Sequence, residues 1–126
     1  MNETYTPVKE WSRFSVEIPS LHSLQFSDVG LELLTLNKGK EQGFIRFNRP
    51  VAYRCALEEA QTGFWEYFHK TKKGDGWAYL VGSSEWIKSF DDSDFIHYPN
   101  SQHFLFLVGE VRIDVISPDF PEFKVL

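Results

Sequence analysis

At 126 residues the chain has room for one hydrophobic core and is short for two, and a chain of this size buries roughly two-thirds of its unfolded surface without covalent staples. Eighteen acidic against thirteen basic side chains give a formal charge of −5. That balance disfavours nucleic acid, whose binding rests on a basic patch, and leaves a basic protein partner open. A single cysteine, Cys55, excludes an internal disulfide, and no apolar run approaches the roughly 20 residues of a membrane span.

The aromatic share is 17%, and aromatic side chains favour strands and bury large areas, which points to a sheet-rich core. Residues 1–10 are polar and read as a frayed terminus. They carry neither a basic n-region nor an apolar h-region, so we expect a cytoplasmic protein. Arg13 to Ile18 alternates apolar and polar and predicts a first strand, ended by Pro19. Ser20 to Asp28 reads as a connection with Leu24 and Phe26 tucked inward. Val29 to Leu36 and Gly43 to Asn48 form the next two strands, joined at Asn37-Lys38-Gly39-Lys40. Arg49-Pro50 interrupts the pattern, so the strand from Val51 to Glu58 belongs at an edge or a bulge. It puts Val51, Tyr53, Cys55 and Leu57 on one face with Arg54 and Glu58 on the other, and Cys55 reads as a buried structural thiol.

Thr62 to Lys70 is a short helix with Phe64, Trp65 and Phe68 on one side and Thr62 as its N-cap. The lysines of residues 70–76 lack a phosphate-loop pattern and read as a solvated loop. Trp77 to Val81 is another strand, after which Ser83 or Ser84 caps a second helix carrying Trp86, Ile87 and Phe90. Asp91, Asp92 and Asp94 make an acidic turn without the Gly and closing Glu of a calcium loop.

The most legible stretch is His103 to Ser117, a hairpin whose loop is Gly109-Glu110 in a type II′ turn. In that register Val108 faces Val111, Phe106 faces Ile113 and Phe104 faces Val115 on a wholly apolar face. The reverse face pairs Leu107 with Arg112, Leu105 with Asp114 and His103 with Ile116, a mixed and partly solvated surface. A slip of one residue would scatter charge over both faces, so the register is well specified. Pro118 to Leu126 reads as an extended tail. The expected fold is α+β, one domain over residues 1–126. It is a curved antiparallel sheet of about six strands with two short helices on one face and the hairpin at or next to its centre.

Four scattered histidines and one cysteine offer no metal-ligand spacing, so no metal or cofactor is expected. No Gly-x-Ser-x-Gly, Gly-x-Gly-x-x-Gly or His-Glu-x-x-His occurs. The best acid/base constellation is His103 with Asp114 and Glu85, the polar groups of a small enzyme or ligand-binding pocket. The plainer reading of the same residues pairs Asp114 with Arg112 or Arg54 and leaves His103 a satisfied strand histidine.

Tyr53-Arg54 with Glu58, Gly76-Trp77, Ser84-Glu85-Trp86, His103-Phe104, Asp114-Val115-Ile116 and the closing Pro118-x-x-Pro121-Glu122 form a recognisable set. Over a little more than half the chain this set resembles a group of small, acidic bacterial proteins of immunity-protein type. The resemblance implies a non-enzymatic binder that neutralises a toxin by covering its basic active-site cleft, and it carries over no catalytic residue. Contact candidates from local charge and aromatic neighbours are Asp91, Asp92 and Asp94, with Glu58, Glu59 and Tyr67 beside them. A homodimer through the Leu105 and Leu107 face is a third reading.

Overall fold

The computed structural model of the chain describes residues 2–8, 11, 19–37 and 41–126. Among them nine strands form two antiparallel sheets. The larger has the order β1 (Thr4–Pro7), β6 (Ala78–Gly82), β7 (Gln102–Val108), β8 (Val111–Ser117), β5 (Ala52–Leu57). The smaller has the order β2 (Ser20–Ser27), β3 (Gly30–Asn37), β4 (Glu41–Phe47), β9 (Glu122–Val125). Helix α1 (Thr62–Thr71) links β5 to β6, and a single turn, α2 (Glu85–Lys88), follows β6.

The β7–β8 hairpin lies at the middle of the larger sheet in the expected register, Phe104 against Val115, Phe106 against Ile113 and Val108 against Val111. Gly109 has φ 63° and Glu110 does not share its positive sign, as a type II′ turn requires. The apolar face of this hairpin packs on Leu31, Leu33, Ile45 and Phe47 of the smaller sheet, joined by Trp11 and Trp77. Phe47 meets Phe104 edge-on at 5.2 Å between centroids, a geometry aromatic pairs favour.

The expected single curved sheet is therefore two sheets face to face, with helices on the outer face of one. The three strands that escape notice in the sequence explain the difference. In β2 the pairing with β3 shifts between Leu21 and Ser23, so the buried residues do not recur at every second position. Phe26, expected inside, is 58% exposed. β1 and β9 have four residues each, too few to establish a period, and they fall in the stretches read as frayed terminus and extended tail. The strand expected at Arg13 to Ile18 and the turn at Lys38-Gly39-Lys40 lie outside the described residues. In β3 the facing is set by burial: Leu31, Leu33 and Thr35 point in, and the Thr35 hydroxyl donates to the Gly43 carbonyl.

The reverse face of the hairpin is not solvated. Leu105 and Leu107 are buried with Tyr5, Phe68, Tyr79 and Val81 under Phe64, Trp65 and Tyr67 of α1. This removes the Leu105 and Leu107 face as a dimer surface. α1 takes Gln61, not Thr62, as its N-cap residue, with no side-chain hydrogen bond there. Cys55, expected in the core, is exposed, because β5 is an edge strand.

Candidate functional site: a buried ion network and an exposed acidic turn

Residues at alternate positions of one strand share a face, and so do register partners on adjacent strands. That rule puts His103, Leu105, Arg112 and Asp114 together on the helix-covered side of the larger sheet, with Arg54 beside them, since it pairs with Asp114. Asp114 is 2% exposed and accepts four hydrogen bonds: His103 Nε2 at 2.6 Å and Arg112 Nη2 at 3.0 Å on Oδ1, Arg112 Nε at 2.8 Å and Arg54 Nε at 3.4 Å on Oδ2. Burial alone would raise its pKa. The His103 and Arg112 hydrogen bonds, reinforced by the Arg112 charge, outweigh that and hold the carboxyl below its ordinary range.

Each arginine is held between this carboxylate and an aromatic ring. The Arg112 guanidinium carbon lies 3.6 Å from the Phe64 ring centre and its Nη1 donates to Gln61 Oε1, while the Arg54 carbon lies 4.2 Å from the Trp86 ring. Trp86 in turn packs edge-on against His103 at 5.4 Å. A carboxylate only accepts, so His103 Nε2 carries the proton facing Asp114, and in the neutral ring Nδ1 accepts from the Ser84 hydroxyl at 2.7 Å. Ser84 also accepts the Ile87 backbone N–H as N-cap of α2. Glu3 adds a second brace: its Oε1 accepts the Tyr5 hydroxyl at 2.8 Å and its Oε2 the Glu85 N–H at 3.0 Å. Burial and this carboxylate drive the Tyr5 phenol well above its usual range.

A hydroxyl, an imidazole and a carboxylate in line have the order of a hydrolytic triad. The geometry here performs a different task. The His103 side chain has no exposed surface, both its nitrogens are engaged, and the Ser84 oxygen serves as a helix cap. A cleft of about 500 Å³ lined by Thr4, Gly82, Ser83 and Lys88 reaches Ser84 and His103 without uncovering the imidazole. Of the three residues proposed for a pocket, His103 and Asp114 come together and Glu85 does not: it is exposed, and it is its backbone amide that meets Glu3. Ser84 was visible in the sequence only as a cap, with nothing to signal its histidine partner. Among the described residues no three His, Cys, Asp or Glu side chains gather in metal-binding geometry.

The acidic candidates fall into two places. Asp91, Asp92 and Asp94 are exposed on a one-turn 3-10 helix, Asp92–Phe95, closed by a capping box in which Asp91 N–H donates to Asp94 Oδ2 at 3.0 Å. Beside them Ile96 is 68% and Tyr98 38% exposed. Phe95 turns inward and begins a ladder of rings, Phe95 to Phe90 at 5.6 Å, Phe90 to Trp86 at 6.2 Å and Trp86 to His103. Glu58 and Glu59 leave the sheet where β5 ends opposite Val111, at the loop end of the hairpin, whereas α2 and the acidic turn follow the end of β6, beside His103. The backbone of Glu58 and Glu59 is thus separated from that of the aspartates by most of the hairpin's length. Tyr67 is half-buried and its hydroxyl donates to the Glu3 carbonyl at 3.0 Å, which makes it an internal strut between α1 and β1. Compared with protein-family models, with curated proteins and with solved structures, the chain finds no match in any of the three.

Proposed function

We propose that the chain is a protein-binding module that presents the segment Asp91–Tyr98 to a basic partner, and most concretely a bacterial immunity protein covering a toxin's basic cleft. One observation carries this reading: exposed carboxylates and the exposed side chains of Ile96 and Tyr98 share one short segment, tied through Phe95, Phe90 and Trp86 to the buried His103 and Asp114 network. Apolar anchors ringed by charge are what a rigid interface offers, and a segment fixed before binding loses less entropy on docking. The negative charge of the chain would steer a cationic partner toward it. The buried polar network is read here as the support of that segment.

The test uses Asp92 and Ile96, because Asp91 and Asp94 cap one another and their replacement would open the turn itself. The chain, expressed together with a toxin encoded beside it, should form a one-to-one complex and suppress that toxin's activity. Asp92→Lys combined with Ile96→Ala should weaken the complex at least tenfold and leave the melting temperature in place. A complex indifferent to both substitutions removes this segment from the interface.

A further inference from the structure

Two sheets have four edges, and three of them carry devices that stop another strand from adding. β1 ends in Pro7, and its Tyr5 is bridged to Lys72, with Lys73 N–H donating to the Tyr5 carbonyl at 3.0 Å. β2 has the register shift between Leu21 and Ser23. β9 is four residues long, follows Pro121 and carries Lys124. Short length, proline, lysine and bulges are the ordinary protections of an edge. β5 has none of them within its six residues and runs in unbroken register along β8, from Ala52 opposite Ile116 to Leu57 opposite Val111. Its one charged residue, Arg54, is drawn back onto Asp114 and Trp86.

The same edge is apolar. Tyr53 is 38% and Leu57 54% exposed, and the flanking edge of the smaller sheet adds Phe26 at 58% and Val29 at 57%. The Phe26 and Tyr53 rings lie 5.4 Å apart, which brings the two edges together in a seam of the sandwich, and Cys55 is exposed between Tyr53 and Leu57 on β5.

We propose that this seam is where a second copy of the chain binds, β5 pairing antiparallel with β5 across a two-fold axis. This goes beyond the reading of the acidic turn and does not depend on it. The side chains select the occupant and the register. With Cys55 on the axis, Tyr53 lies opposite Leu57 of the second copy and Arg54 opposite its Ala56, so like faces meet and no like charges do. Centring on Arg54 would set two guanidinium groups against each other, and centring on Ala56 would run past the end of the strand at Leu57. Within β5 the one charged residue, Arg54, is internally paired, so pairing of this strand with its copy sets no like charges against each other in a chain of net charge −5.

Sedimentation of the full chain should show a mass rising with concentration from 14.7 kDa to twice that value. A short bismaleimide should trap the dimer through Cys55, since residues directly opposite in an antiparallel pair lie about 4.5–5.5 Å apart at Cα. Tyr53→Lys with Leu57→Lys should give a monomer that no longer cross-links, with its circular dichroism unchanged. Should that double variant misfold, cross-linking of the unaltered chain decides alone. A chain that stays monomeric up to about 1 mM, a Kd beyond which self-association is negligible, overturns the proposal and leaves the edge to a strand of another protein. A dimer that Cys55 does not cross-link, or that survives in a folded double variant, overturns it as well.

Discussion

The imidazole of His103 meets the carboxylate of Asp114 across a diagonal of the β7–β8 ladder, Nε2 to Oδ1 at 2.6 Å, although their register partners are Ile116 and Leu105. Both groups are almost wholly buried, and the contact ties the middle of the larger sheet to the α2 cap through Ser84. A polar chain in that position is structural where every member is satisfied, and here Asp114 has four donors.

The depressed pKa of Asp114 has a consequence for acid stability. A carboxyl whose folded value lies below its unfolded value of about 3.9 contributes stability that is fully present above that pH and is lost as pH falls through the folded value. Urea midpoints of the native chain should therefore hold from neutrality to about pH 4 and drop below it. Asp114→Asn should be less stable at neutral pH and shallower in the acid limb. Parallel acid limbs would show that other carboxylates govern the transition.

The two arginines on Asp114 are not equivalent. Arg112 has 5% of its side chain exposed and Arg54 44%. Arg112→Met removes two hydrogen bonds from a buried carboxylate and should cost about 3–5 kcal/mol, as breaking a buried pair does. Arg54→Met should cost about 1 kcal/mol or less, because water can take its place. Equal losses in chemical denaturation would contradict this ranking.

How much of this was legible follows from period and sequence distance. The hairpin could be read residue by residue, because strict alternation around one glycine turn leaves a single register. That Asp114 could pair with Arg112 was legible from the register, which puts residues two apart on one face. Arg54 was only an alternative cation, because no strand order placed β5 beside β8, and the structure brings both to the carboxylate. What could not be read were the covers. Nothing in Leu105, Leu107 and Arg112 says whether α1 or water lies over them, and that choice turned a mixed surface into a second core. The second sheet was hidden by the β2 bulge, which breaks the period that identifies a strand. Cys55 misled for a related reason: an alternating pattern marks its face, but an edge position decides whether that face is covered.

Ser84 offers a direct test of whether the hydroxyl–imidazole–carboxylate chain does chemistry. Its oxygen caps α2 and the residue is 5% exposed, so a fluorophosphonate probe should leave it unlabelled under conditions that label a serine hydrolase. Ser84→Ala should instead cost about 1–3 kcal/mol, through the lost cap and an unpaired Nδ1 on His103. Stoichiometric labelling at Ser84 would put the enzyme reading ahead of the binding one.

Tyr79 sits with its hydroxyl on the Gly74 and Gly76 carbonyls, and its pKa is pushed up to about 12, by burial first and by the charge of Asp75 second. A group whose folded value is raised supplies stability below its unfolded value of about 10 and loses it as pH climbs through the folded value. Spectrophotometric titration should show a late tyrosinate step near pH 12. Tyr79→Phe should remove from that late step the contribution of one phenol. A titration complete by pH 11 would mean that the seat of Tyr79 is wetter than its burial indicates.

Two glycines make opposite predictions from the same substitution. Gly30 opens β3 at φ 117°, and a Cβ there would run into the backbone carbonyl of Phe47 on the neighbouring strand. A carbonyl fixed in a ladder cannot step aside, so Gly30→Ala carries both the strain of a left-handed backbone and a clash, and should cost about 3 kcal/mol. Gly63 lies in the first turn of α1 with nothing within 4 Å of an added Cβ. There the methyl group only narrows the unfolded ensemble and improves helix propensity, so Gly63→Ala should stabilise by about 0.5–1 kcal/mol. Thermal melts of the two variants should move in opposite directions from the native chain. A Gly30→Ala protein that melts with the native one would mean that β3 does not enter the smaller sheet through that backbone geometry, and a destabilised Gly63→Ala would place a neighbour against α1 where open space is now seen.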